Sequence, residues 1–369
     1  MIPLFKVMMS PDAPEMVRKT LLSGYIGEGE MVRQFEAAFA ELVGAPQPVV
    51  AVNSCTSALD LAFHLCGIGP GDEVISTPMT CSATNTGLVN RGARIIWADV
   101  DPVTGLIDAD DVNRKLRAYP RTKAIVVVDW AGRLVDAYAI GAYPIIRDAA
   151  HSLLAETPGG DVLGWQGYGA DYICWSFQAI KHLTTGDGGA LIAPTDQMAR
   201  ARLLKWYGFD RTSKASFRCD QRLDEAGYKY HMNDISASIG LANLPHARWV
   251  VEQHRKNAAW YHENLKGLPG LTLPPPDPGS SWWLYSLLVP DRDGFIAALA
   301  ELGVEASPVH SRCDIHPAFQ RACANPGDPL PGVDHFAGHQ VSIPVHWALT
   351  SEDRERVAVA VHEALKVTV

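Results

Sequence analysis

Lys181 lies in the stretch Trp175-Ser176-Phe177-Gln178-Ala179-Ile180-Lys181, just beyond the apolar run Tyr172-Ile173-Cys174-Trp175. A lysine so near an apolar strand end carries a desolvation cost unless its charge is used or removed. Desolvation lowers an amine's pKa and makes it a nucleophile toward aldehydes. Ser176 precedes it and can hold an anion, and Gly186, Gly188 and Gly189 follow, allowing backbone to pass close to a bound ring. Asp148, in Arg147-Asp148-Ala149-Ala150-His151, ends another apolar run and is a natural partner for a pyridinium nitrogen. A Schiff-base lysine together with an aspartate on a pyridinium nitrogen is the arrangement that pyridoxal phosphate requires. Taken singly, a lysine after a strand is usually solvated and an aspartate there often caps a helix. Their conjunction favours the cofactor.

A phosphate site stands upstream. The run at 48–52 leads into Asn53-Ser54-Cys55-Thr56-Ser57, after which apolar positions 58, 59, 61, 62 and 65 mark a helix. Small hydroxyl residues opening a helix after a strand can bind phosphate through backbone N–H groups and side-chain hydroxyls. An ordinary N-cap is the plainer alternative; Lys181 and Asp148 tip the balance toward phosphate.

These groups need a scaffold. Runs at 48–52, 73–76, 95–98, 124–128, 143–146, 172–175 and 190–193 predict strands, mostly apolar throughout, as in a parallel sheet buried on both faces. Their alternation with helical stretches specifies an α/β layered domain. From 232 to 266 the pattern is helical, with Pro245 able to start, kink or divide it. A Pro-rich linker at 273–278 precedes a strand at 282–289, a helix at 294–302 and a terminal helix at 354–365 capped by Thr350 or Ser351. The expected division is a large domain over 1–245, with an N-terminal arm, and a smaller α+β domain over 246–369.

Composition sets outer bounds. The chain has 369 residues, 47% hydrophobic and 20% charged, and a net charge of −9, ordinary for a soluble enzyme and poorly suited to gripping nucleic acid or a membrane. Seven scattered cysteines with no C-x-x-C suit a reducing compartment, and no signal peptide or membrane span is evident. The expected location is cytoplasmic. His310, Cys313, Asp314 and His316, or His335 with His339, have no recognised metal spacing. Trp206, Trp282 and Trp283 could line a pocket, although a core role is the simpler expectation for each.

The chain resembles the DegT/StrS family of sugar aminotransferases, fold-type-I pyridoxal phosphate enzymes. The resemblance spans nearly the whole chain. It rests on Leu22–Gly29 with Phe35-Glu36, Gly69–Ile75, Asp148-Ala149-Ala150-His151, Ser176-Phe177 with Lys181, Gly227–Asp234 with Ile239-Gly240-Leu241, and Pro308-Val309-His310. It implies that Lys181 bears the cofactor, that Asp148 meets the ring nitrogen, and that His151 lies beside the phenolic oxygen. Thr56, Ser57 and Ser176 would hold the phosphate, and His310 would face substrate. Three departures stand out. Cys81 occupies the position of the stacking aromatic, Lys229 replaces the Asn that reaches a neighbouring subunit's phosphate, and the segment between Gly132 and Asp148 is short.

The implied reaction is transamination, with glutamate as donor and a keto group of a nucleotide-linked deoxysugar as acceptor, in a homodimer with shared active sites. After the donor displaces Lys181, the freed amine takes the α-proton as general base. Three alternatives remain. A related sugar dehydratase carries histidine at the lysine position, so Lys181 argues against it. A cofactor-bound regulatory protein need not retain both Lys181 and Asp148. A non-sugar ketone such as a cyclitol is the third.

Overall fold

The computed structural model describes residues 1–164, 167–211 and 220–368; Cys219 lies outside them. Two helices precede the strands, α1 (Ala13–Ser23) and α2 (Glu30–Leu42). There follow β1 (Val50–Val52), α3 (Cys55–Leu65), β2 (Glu73–Ser76), α4 (Ser82–Asn90), β3 (Arg94–Trp97), α5 (Ala109–Ala118), β4 (Thr122–Val128), β5 (Ile145–Asp148), β6 (Tyr172–Ser176) and β7 (Gly189–Ile192). These strands form one sheet in the order β1-β7-β6-β5-β4-β2-β3. Only β7 is antiparallel to its neighbours, β1 and β6; every other pair is parallel. Ile125, Val126, Val127, Ile146 and Ile173 are wholly inaccessible. Burial on both faces is why these strands read as unbroken apolar runs.

The short connection between β4 and β5 holds only 3-10 turns, at Trp130–Gly132 and Ala137–Ala139. Arg147 braces it from inside the protein. Its guanidinium donates to the Asp129 carboxylate and to the carbonyls of Val135, Gly167 and Tyr168. Both charged side chains are fully buried, and this many partners compensate the desolvation of each. Side chains alternate along a strand, so Arg147 and Asp148 point to opposite faces of β5. Arg147 therefore anchors the strand end that presents Asp148.

The remainder comprises α6 (Met198–Leu204), α7 (Asp234–Asn243), α8 (Ala247–Leu265), β8 (Tyr285–Leu288), α9 (Arg292–Glu301), α10 (Pro317–Ala322), α11 (Pro331–His339), β9 (Gln340–Ile343) and α12 (Ser351–Thr368). Pro245 divides the long helical pattern at the 3-10 turn Leu244–His246. Thr350 closes a capping box on α12: its hydroxyl accepts from the Asp353 N–H, and Asp353 accepts from the Thr350 N–H. Strands β8 and β9 pair antiparallel as a second sheet. Tyr261, Phe295, Leu299, Val357 and Val361 from α8, α9 and α12 form its core. Trp283, Phe319, Val333 and Phe336 join the core of the large sheet instead. At the other end, Ile2 bridges to Val304, so the N-terminal segment lies against the C-terminal part of the chain. Among the described residues, no helix is long and apolar enough to cross a membrane.

Candidate active site

Asp148 and Ser176 are the last residues of β5 and β6, and α3 starts directly beyond β1. Carboxyl ends of parallel strands are where open α/β sheets bind ligands. A cavity of about 570 Å³ opens there, lined by Thr56, Cys81, Asp148, His151, Ser176, Lys181 and His310. Residues separated by more than 250 positions thus converge. Ser57 and Lys229 do not line this cavity.

The Asp148 carboxylate accepts from the Thr84 hydroxyl at 2.7 Å and the Ala150 N–H at 3.1 Å, with the Cys55 thiol at 3.9 Å. Thr84 is itself hydrogen-bonded to Thr80 at 2.7 Å. Burial pushes the Asp148 pKa up; the Thr84 and Ala150 bonds, the Lys181 charge and Cys55 act against it. A cationic N–H facing this carboxylate would favour its ionised form.

Lys181 has its Nζ 3.3 Å from the centroid of the Trp283 ring. Burial lowers its pKa to about 7, with Asp148 pulling in the opposite direction. Near neutral pH the amine therefore divides between its protonated and nucleophilic forms. His151 stacks on Trp283 with centroids 3.9 Å apart, and its Nδ1 is buried without a partner among the described residues. Burial, then the Lys181 charge, holds its pKa well below the usual imidazole value. The His310 ring is nearly parallel to that of His151 at 5.7 Å, and its Nε2 also lacks a partner among the described residues. Burial followed by Lys181 lowers the His310 pKa to about 4. Both imidazoles are neutral at pH 7.

Ser54 is the N-cap of α3, its side chain accepting from the Ser57 N–H at 3.1 Å. The Ser57 hydroxyl is occupied within this cap, donating to Asn53 at 2.6 Å and accepting from Ser54 at 3.0 Å. Ser57 faces a second concavity with Asp60, Arg91, Tyr228 and Tyr230, whereas Thr56 borders both. The sheet presses closely on this helix start. A Cβ on Gly189 would lie 2.5 Å from the Ser54 carbonyl carbon and 2.6 Å from the Cys55 nitrogen. Lys229 is exposed, with Nζ 3.5 Å from the centroid of the Trp206 ring.

The sequence reading missed several residues of the site. Thr84 does not line the cavity but supports Asp148 from behind, and it had a weak signal, lying in the first turn of a helix that starts beside Cys81. Leu4 and Phe5 had none, because only the fold carries the N-terminal segment to the cavity. Trp283 meets the core expectation, being 2% exposed, and it also forms cavity wall. Among the described residues, no group of three or more His, Cys, Asp or Glu is arranged to hold a metal. Arg312 instead occupies Asp314, and the His335 and His339 rings stack.

These residues fit pyridoxal phosphate. Asp148 is a buried carboxylate in need of a cationic partner, Lys181 an amine poised near neutrality, and His151 presents an unpartnered ring nitrogen. The start of α3, with Ser54 and Thr56, and the end of β6, with Ser176, supply N–H groups and hydroxyls for a phosphate. Fold and constellation together define a fold-type-I pyridoxal phosphate enzyme. The chain belongs to the DegT/DnrJ/EryC1/StrS aminotransferase family, which it matches over residues 8–362.

The chain is similar to AtS13 from Actinomadura melliaura, 40% identical, with a TM-score of 0.90 and 98% of each chain covered. It is also similar to the sugar aminotransferase CalS13 from Micromonospora echinospora, 36% identical, with a TM-score of 0.90 and 98% and 100% of the chains covered. A third relative is the dTDP-4-dehydro-2,3,6-trideoxy-D-glucose 4-aminotransferase of Saccharopolyspora spinosa, 30% identical over 99% of this chain and 97% of that one.

Proposed function

We propose that this aminotransferase moves an amino group from L-glutamate to a keto group of a nucleotide-linked deoxysugar, with Lys181 as the cofactor-bearing lysine and Asp148 as partner of its ring nitrogen. The observation that carries the assignment of residues is the convergence of Lys181, Asp148, His151, Thr56 and Ser176 in one cavity. The sugar acceptor is supported by the names of the relatives above. Bound pyridoxal phosphate supplies an electron sink for a carbanion next to the transferred nitrogen. Asp148 keeps a proton on the ring nitrogen, and Thr84 and the Ala150 N–H fix its carboxylate. His151, neutral, offers Nδ1 as a hydrogen-bonding group toward the cofactor. Lys181, when released, is the group that takes and returns the proton at the reacting carbon. His310 faces the acceptor.

The reading includes a homodimer in which Lys229 reaches the partner's cofactor phosphate; its exposure and its position outside its own chain's cavity support this. It also includes a cytoplasmic location, supported by free thiols at Cys55, Cys66, Cys81, Cys174, Cys313 and Cys323. The division into a large domain over 1–245 and a smaller one over 246–369 follows the turn at Pro245. It is supported by the separate core around β8 and β9.

Mass spectrometry of the enzyme incubated with glutamate and a panel of dTDP- and UDP-linked 4-keto sugars is the direct test. Formation of an amino sugar together with 2-oxoglutarate is expected. Amination of a free cyclic ketone such as a cyclitol, with no nucleotide sugar accepted, would replace the acceptor assignment.

A further inference from the structure

Trp283 stands where a strained turn delivers it. The preceding residue, Trp282, has φ 49°, in the left-handed region that a bulky side chain avoids. Neighbouring hydrogen bonds enforce it: the Ser281 N–H donates to the Gly132 carbonyl at 3.1 Å, and the Ser281 hydroxyl to the His151 carbonyl at 2.8 Å. The Trp282 N–H donates to the Ser280 hydroxyl at 3.1 Å, and the Trp282 indole N–H to the Asp277 carbonyl at 3.0 Å. The turn aims the Trp283 indole into the cavity, where it meets Lys181 twice. Its Nε1 donates to the carbonyl of Ile180, the residue before the lysine, at 3.0 Å. Its ring receives the Lys181 amine 3.3 Å from the centroid. Phe5, with centroids 5.1 Å apart, and His151 pack on the same indole and limit its movement.

We propose that Trp283 is a positioning residue: its indole is the resting place of the Lys181 amine whenever that lysine is not bonded to the cofactor, and the ring favours the protonated form. Transamination frees and rebinds this lysine in every cycle, and a four-carbon chain left loose would lose its alignment with the reacting carbon. An ammonium over an indole face is held electrostatically, with tryptophan the strongest of the aromatic partners. The proposal rests on reading Lys181 as the cofactor-bearing lysine.

Several other groups face the amine. Asp148, Cys55 and Cys81 raise its pKa from β5 and from the starts of α3 and α4. His151, His182 and His310 surround it, each with a lowered pKa, and Asp187 and Glu305 also line the cavity. With His310 at about 4 and His151 well below the ordinary value, a transition near 7 is separable from both.

The test uses the full chain saturated with pyridoxamine phosphate, a form in which Lys181 carries no cofactor. Competitive acetic anhydride labelling from about pH 5 to 10, read by peptide mass, gives the Lys181 midpoint. Trp283→Leu is expected to lower it by about half a unit to one unit, and Trp283→Phe, which keeps a ring, by less. An unchanged or raised midpoint in folded Trp283→Leu overturns the proposal. A second measurement needs no change at Trp283 in the titrated protein. In wild type labelled with 5-fluorotryptophan, the Trp283 resonance, identified by its loss in Trp283→Phe, should titrate with the Lys181 midpoint. That titration should vanish in Lys181→Met, and a Trp283 resonance indifferent to this change also overturns the proposal. Whether Lys181 is the cofactor lysine is read separately, by borohydride reduction of the pyridoxal phosphate form and mapping of the labelled lysine.

Discussion

Lys181, Asp148 and His151 illustrate how burial prepares single residues for chemistry. Lys181→Ala should leave no pyridoxyl label at this position after borohydride reduction; a label found undiminished on another lysine would reassign the role. Asp148→Asn preserves shape but removes the charge, and the half-reaction with glutamate should slow on the order of 100-fold or more. A near-normal rate of cofactor conversion in stopped-flow absorbance would count against the ring-nitrogen partnership. The lowered Lys181 pKa also has a stability consequence. The unfolded chain holds the lysine proton up to the ordinary lysine value of 10.5, whereas the folded chain loses it at about 7. Stability therefore rises with pH across that window, because the unfolded state binds more protons there. In cofactor-free protein, Lys181→Met should melt higher than wild type at pH 6, and the gap should narrow toward pH 10. A gap independent of pH would show that the amine is not desolvated in the fold.

Among the elements, the junction of β7 with the start of α3 would build the proposed anion site, with Gly189 packed closely against Ser54 and Cys55. Ser54→Ala removes the cap of α3 and should cost about 1 kcal/mol of stability. Cofactor affinity should fall with it, since the same N–H groups would hold the phosphate; the check is a denaturant titration beside a cofactor binding isotherm. Gly189→Ala forces a Cβ against backbone atoms that cannot move aside as a side-chain tip would. Overpacking of this kind costs about 1–3 kcal/mol, and here it should also displace the helix start. The apolar runs and turn residues predicted every strand of the large sheet to within a few positions, because each strand is buried on both faces. Nothing local announced that β7 would run antiparallel to β1 and β6, since strand direction depends on which neighbours it joins.

The whole molecule brings residues 4, 56, 148, 181, 283 and 310 to one cavity, and the proposed dimer would add the partner's Lys229. Lys181→Ala and Lys229→Ala homodimers should each be impaired, the second mainly through weaker cofactor affinity. Mixed and re-associated subunits should recover roughly a quarter of wild-type activity, because half the dimers are mixed and half of their sites are whole. A clear defect in Lys229→Ala with no recovery on verified exchange would place Lys229 in its own chain's site.

The family was legible in the sequence as a resemblance, and the α/β class and the placement of Lys181 and Asp148 near strand ends from the residues themselves. Those signals are local: apolar runs of strand length, and reactive residues placed directly beyond them. The tertiary structure alone decided that Ser57 turns away into the cap while Thr56 stays in the cavity. It also decided that the Asp148 carboxylate rests on Thr84 and that Trp283 receives the Lys181 amine. Each of these depends on side-chain direction and on contacts across the fold. Residue type and spacing encode neither until burial forces distant segments to share one low-dielectric space.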